Sequence, residues 1–148
     1  MSSLSPIGLA DIVKALERPY RSRGEARVAR TLDQHNIPFL YEQPTLIYDR
    51  GRHRVWHPDF TLPTYNGLIV EYAGMMDVPD YARGILHKRE AYRANGIPAV
   101  FVYPEDLGKS GWPEQLLEKI EGASAAQRRH GPTQAPYGPN HPIYPRGT

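Results

Sequence analysis

The chain has 148 residues, a net charge of +2 and no cysteine, which sets the scale at one domain and excludes disulfide staples, thiolate metal sites and cysteine nucleophiles. Hydrophobic residues make up 40% and charged residues 23%, the balance of an ordinary globular domain able to bury a core. No apolar run approaches the roughly 20 residues that span a bilayer, and the start MSSLSPIGLADIVKALE lacks the basic and long apolar regions of a leader; no membrane partner and a cytoplasmic location are expected.

In chain order, apolar residues at helical spacing (Leu9, Ile12, Val13, Leu16) predict a first helix from about Ile7 to Glu17, with Pro19 beyond its end. A second begins after Ser22. The stretch Ser22-Arg23-Gly24-Glu25 has the S-x-x-E spacing of a capping box, and Val28, Ala29 and Leu32 form one apolar stripe that ends near His35-Asn36. Phe39 to Tyr48 is rich in aromatic and β-branched residues and reads as a strand, with a turn at Asp49-Arg50-Gly51-Arg52. Val55 to Leu62 is the return strand, interrupted by Pro58, which favours an edge or bulge. After the turn Pro63 to Gly67, the apolar run Leu68 to Tyr72 has the pattern of a strand buried on both faces.

Helical pattern resumes from about Pro79 to Ala94, with Asp77 or Asp80 expected as its cap, and stops at Asn95-Gly96. Pro98 to Tyr103 is another buried strand, which makes a right-handed parallel crossover. A last helix is expected from Trp112 to Glu121, Pro113 being suited to its first turn. From residue 122 to 148 five prolines lie among Gly, Ser, Gln and Arg, a composition that predicts a flexible or extended tail. The expected organisation is one domain over residues 1–121 with a core at 22–103, α/β in class, with a mixed central β-sheet flanked by helices.

Chemistry concentrates in the middle of the chain. Asp59 follows Pro58, and Glu71 ends a buried apolar run on the next strand, so strand pairing can set the two carboxylates side by side. An acid at the end of a buried strand is costly unless it is paired or metal-bound. Carboxylates that converge on Mg²⁺ or Mn²⁺, with a lysine to orient water or offset charge, are what phosphodiester hydrolysis needs. Tyr81, Ile85, Lys88 and Tyr92 follow at spacings of four, three and four, one helical stripe in which an ammonium requires an anionic partner or must reach solvent. Ala73 is small and faces the same way as Glu71, leaving space for the Lys88 ammonium.

The ordered set Ser22-x-Gly24-Glu25, Pro58-Asp59 and Glu71-Tyr72-Ala73, within a helix–strand–strand–strand–helix–strand order, resembles the PD-(D/E)xK restriction-endonuclease-like superfamily over roughly residues 22 to 103. The resemblance implies an αβββαβ restriction-endonuclease-like core and Mg²⁺- or Mn²⁺-dependent cleavage of DNA. It assigns metal binding to Asp59, Glu71, Glu25 and the Tyr72 carbonyl, and catalysis to Asp59, Glu71, Glu25 and a lysine. The family's usual lysine position is occupied here by Ala73. The run Glu71-Tyr72-Ala73-Gly74 followed by Tyr81 and Lys88 resembles the variant that carries its lysine on the following helix.

Structural readings compete at each position. Glu25 sits at capping-box spacing, and on propensity alone capping is the stronger reading. Asp59 alone fits a turn acid, and Lys88 alone fits an exposed helix lysine. His53 and His57 match no standard zinc spacing. Arg23 and Arg27, with Arg50, Arg52, His53 and Arg54, form two basic groups suited to backbone phosphates, although either alone fits a solvated face. The expected partner is DNA, duplex or branched, and a homodimer or larger nucleic-acid-processing complex is compatible with that. The alternative is a catalytically inactive nucleic-acid-binding or assembly module of the same fold, for which Ala73 is the main argument; a structural protein whose acids are caps is a third reading.

Overall fold

The computed structural model describes residues 20–129; the helix expected near residues 7–17 and the segment from 130 onward lie outside them. Helix α1 (Arg23–Gln34) starts where Ser22, in extended conformation, accepts the Glu25 amide on its side chain. Strands β1 (Leu40–Tyr41), β2 (Thr45–Asp49), β3 (Arg52–Trp56), β4 (Phe60–Leu62) and β5 (Leu68–Tyr72) follow, then α2 (Pro79–Ala94), β6 (Ala99–Val102), the one-turn α3 (Pro104–Leu107) and α4 (Trp112–Arg129).

The central sheet has the order β1-β4-β5-β6, with β5 and β6 parallel and the other pairs antiparallel. The chain is thus mixed α/β with a mixed central sheet flanked by helices. On one face Phe60, Leu62, Leu68 and Val70 pack with Val28 and Leu32 of α1 and Leu116 and Ile120 of α4. On the other, Ile69, Ala73 and Phe101 pack with Ile85, Ala91 and Tyr92 of α2. Strand β5 alternates between these two cores, and that is why its sequence is apolar almost throughout.

Each of the two long strands expected between Phe39 and Leu62 is divided. Pro44 and Pro58 lack the N–H that a ladder needs, and Glu42 adopts a positive φ of 52°. The chain changes sheets at these points. β1 and β4 join the central sheet, while β2 and β3 form a separate antiparallel ribbon paired from Thr45–Trp56 to Asp49–Arg52. Its tip has Arg50 at φ 50° and Gly51 at φ 77°, the double positive φ of a type I′ turn.

Two further expectations are corrected. Neither Asp77 nor Asp80 caps α2: Val78 is the N-cap without a side-chain bond, Pro79 opens the first turn, and Asp80 lies inside it. Helix α4 does not stop at Glu121 but continues to Arg129; the rest of the segment expected to be a flexible or extended tail lies outside the described residues. The reason for the longer helix is a stripe at every fourth residue, Trp112, Leu116, Ile120 and Ser124, all buried. Ala123, Ala125 and Ala126 have high helix propensity, and a side chain at Gly122 would face open space, so that glycine interrupts no packing. Among the described residues no helix is long and apolar enough to cross a membrane.

Candidate active site

Strand pairing places the two acids. In the β4–β5 ladder Phe60 faces Val70 and Thr61 faces Ile69; one further step sets Asp59 opposite Glu71. The pair is locked by reciprocal main-chain contacts. The Asp59 amide donates to Glu71 Oε1 at 2.8 Å, and the Tyr72 amide donates to Asp59 Oδ2 at 2.8 Å. Each carboxylate is therefore held by the backbone of the strand opposite.

Glu71 is 1% exposed. Burying a carboxylate is tolerable only with compensating partners, and α2 supplies two. Tyr92 donates its hydroxyl to Glu71 Oε2 at 2.6 Å, and Lys88 Nζ stands 3.2 Å from the same oxygen. The Tyr81–Ile85–Lys88–Tyr92 stripe thus faces the sheet, with Ile85 and Tyr92 buried and the half-exposed Lys88 stem bringing its ammonium to the buried acid. Tyr92 is held high above its ordinary value by burial first, then by Glu71, so it stays a hydroxyl donor. Ala73 is fully buried beside Ile69 and Ile85.

Asp59 lacks comparable relief. Burial, then the charge of Glu71 and more weakly that of Glu25, push its carboxyl up from 3.8 to about 7, against the lowering effects of the Tyr72 amide and Lys88. Glu25 is therefore within electrostatic reach of Asp59, although it belongs to the helix on the other face of the sheet. Its side chain accepts from the Tyr41 hydroxyl at 2.6 Å and from the Ser22 hydroxyl at 3.1 Å. The capping arrangement is only half of a capping box: Ser22 receives the Glu25 amide, but the Glu25 carboxylate turns to side-chain hydroxyls.

The Tyr72 carbonyl is approached by the Tyr81 hydroxyl at 3.4 Å, and the same hydroxyl accepts from the Gly74 amide at 3.0 Å. The Tyr72 ring passes on the α1 side. A Cβ added at Gly24 would lie 2.0 Å from its Cζ, and one at Gly74 would lie 2.8 Å from its Cε2. Both glycines of the motif leave room for this ring.

The donor chemistry suits a hard divalent cation such as Mg²⁺ or Mn²⁺, which takes carboxylate and carbonyl oxygens. Asp59 Oδ1 accepts no hydrogen bond among the described residues, and the raised Asp59 is the acid a cation would relieve. Among the described residues no three His, Asp or Glu side chains are gathered closely enough to hold an ion by themselves. A site here would combine Asp59 and Glu71 with the main-chain oxygen of Tyr72.

The basic residues divide. Arg50, Arg52, His53 and Arg54 are exposed on the β2–β3 ribbon, and Arg23 is exposed at the start of α1. Arg27 is exposed too, but its guanidinium is engaged: it donates to the Leu107 carbonyl at 3.0 Å and lies over the Trp112 ring, joining α1 to α3 and α4. Sequence reasoning did not find the contact between His87 Nε2 and Asp49 Oδ2, at 2.9 Å, with Arg54 3.7 Å from the same oxygen. It links the ribbon to α2 one residue before Lys88. Asp49 is the fifth residue of a strand and His87 the ninth of a helix, so only tertiary structure brings them together, and the sequence, in which Asp49 reads as the first residue of a turn, carries no signal of it.

Comparison with models of known protein families, with curated proteins and with solved structures returns no match.

Proposed function

We propose that this protein is a Mg²⁺- or Mn²⁺-dependent endonuclease that hydrolyses DNA phosphodiester bonds on a restriction-endonuclease-like core. The observation that carries the reading is the cross-strand lock of Asp59 and Glu71 with Lys88 Nζ 3.2 Å from Glu71 Oε2. A carboxylate pair embedded in main-chain hydrogen bonds and met by one ammonium is more elaborate than stability requires, since apolar residues of similar volume serve a core at least as well.

When bound, the divalent ion would supply Lewis-acid stabilisation of phosphate charge and a more acidic water. Asp59 and Glu71 would hold it, with the Tyr72 carbonyl as third donor and Glu25 adding negative charge nearby. Lys88, on a flexible stem that reaches solvent, orients the attacking water or offsets charge on the phosphate. Tyr92 positions Glu71 by fixing Oε2. In the hydrolysis, water oxygen forms a new bond to phosphorus, one bridging P–O bond breaks, and the leaving oxygen takes up a proton. Plasmid and oligonucleotide cleavage with added Mg²⁺ or Mn²⁺ tests the reading, with the parent compared to Asp59→Ala and Lys88→Ala. Each variant should lose at least about 100-fold in rate, the scale of removing a preorganised charge; unchanged cleavage in both removes the site assignment.

A second reading, a non-cleaving nucleic-acid-binding or assembly module, is favoured by one feature. Both Glu71 oxygens already have partners within the protein. Retained DNA binding with no calorimetric Mg²⁺ or Mn²⁺ signal would select it.

A further inference from the structure

The β2–β3 ribbon stands apart from the central sheet, and its two faces differ. Ile47 and Asp49 point inward and are buried, Ile47 among Ile69, Ile85 and Tyr92. Trp56 at its base packs against Tyr92 with ring centroids 5.7 Å apart. The outward face carries the cross-strand pair Leu46–Val55, 55% and 60% exposed, an unusual place for two large aliphatics. Arg50 is exposed at the tip, and Arg52 and Arg54 are exposed along β3, but they alternate with Val55 and, opposite Asp49 and Ile47, belong to the other face, where Asp49 is buried against His87 and Arg54.

We infer that this ribbon enters the major groove of duplex DNA, with Arg50 and Arg52 on the phosphates and Leu46 and Val55 against base edges. The inference rests on the nucleic-acid partner proposed above. A two-stranded ribbon fits the roughly 12 Å width of the B-form major groove, and five-residue strands give it a length of about 17 Å. Net positive charge at the tip matches the groove walls, and exposed aliphatics match base edges such as the thymine methyl. The same features argue against other nucleic acids. The A-form major groove of duplex RNA is too deep and narrow to be read by side chains, and single strands are gripped by exposed aromatic platforms, whereas the exposed pair of this face, Leu46–Val55, is aliphatic and its tyrosine, Tyr48, is half-buried with its ring edge-on to His53. Because Ile47 and Trp56 share a core with Tyr92, which holds Glu71, DNA seated on the ribbon is in fixed relation to the carboxylates.

The test is fluorescence anisotropy in chelator with the full-length protein, using one DNA sequence as duplex and as single strand and the corresponding duplex RNA. Arg50→Asn/Arg52→Ala removes two charges while Asn-Gly suits the type I′ turn; Leu46→Thr/Val55→Thr removes the aliphatic face and keeps strand propensity. The parent should bind duplex DNA at least about 10-fold tighter than the other two. The arginine variant should weaken duplex binding and lower the salt slope by about two; the threonine variant should weaken it about 5-fold or more with the slope unchanged, the scale of lost base-edge contacts. Equal affinity for the three nucleic acids, or parental duplex binding by both variants, overturns the inference. Binding in chelator is independent of cleavage. A parent that binds as expected but cuts under no Mg²⁺ or Mn²⁺ condition fails the nuclease reading alone, whereas a metal-dependent nuclease indifferent to both ribbon variants fails this inference alone.

Discussion

Replacing Asp59 by asparagine should stabilise the metal-free protein, by an amount that grows as pH rises to about 7 and is constant above it. Burial and the charge of Glu71 hold the Asp59 carboxyl at about 7 in the folded chain against an ordinary value of 3.8. Between these values the folded state keeps a proton that the unfolded state has released. The unfolded state binds fewer protons there, so unfolding free energy falls with rising pH. About two units of that window lie between pH 5 and 7, which at 1.36 kcal/mol per unit amounts to about 3 kcal/mol, or roughly 10 °C in Tm for a chain of this size. Asparagine keeps a carbonyl oxygen for the Tyr72 amide, 2.8 Å away in the parent, and loses the charge. Thermal and urea unfolding of both proteins from pH 5 to 8, in chelator, gives a difference curve that should rise through the window and level off above pH 7.5. Adding Mg²⁺ at pH 8 should raise the Tm of the parent and leave the asparagine protein nearly unmoved. Parallel pH profiles for the two proteins would refute the argument, because an Asp59 that ionises normally cannot make them diverge.

Two substitutions probe the supports of the site. Tyr92→Phe keeps the ring that packs on Trp56 but removes the donor to the buried Glu71 Oε2; it should cost about 1.5–3 kcal/mol, as for a hydrogen bond to a charged group, read as a lower urea midpoint with an unchanged slope. A loss under about 0.5 kcal/mol would show that Lys88 alone satisfies that oxygen. Gly24→Ala sets helix propensity, a gain of up to about 1 kcal/mol, against a Cβ placed 2.0 Å from the Tyr72 ring, an overpacking cost of about 1–3 kcal/mol. Net destabilisation in denaturant is expected, and a stabilised alanine variant would mean that the ring moves aside freely.

Much of this arrangement was legible where local pattern and tertiary role coincide. The run Leu68 to Tyr72 is apolar because both its faces are covered, and the Tyr81–Lys88–Tyr92 spacing points to the sheet because helical period alone decides which residues share a face. Tyr92 was visible as a member of that stripe, but its role as donor to Glu71 was not, since buried tyrosines most often serve packing. The strand breaks at Pro44 and Pro58 were harder to read: alternating β-branched and aromatic residues continue across them, and only pairing shows that the chain has changed sheets. The change of composition after Glu121 misled for the opposite reason. A glycine stops a helix when packing fails beyond it, and here Ser124 is still buried on the same stripe.

The reciprocal lock between Asp59 and Glu71 has a consequence for how the protein comes into being. Each bond of the lock joins a carboxylate to the main chain of the other strand, so the candidate site and the strand register are one and the same feature. Pairing β4 with β5 one residue out of step would turn alternate side chains to the opposite face, parting the carboxylates and carrying Ile69 out of its core together. A chain that has not completed this pairing, newly made or partly unfolded, holds no assembled acid pair. Any cutting capacity is thereby confined to correctly folded copies, a form of quality control that needs no inhibitor.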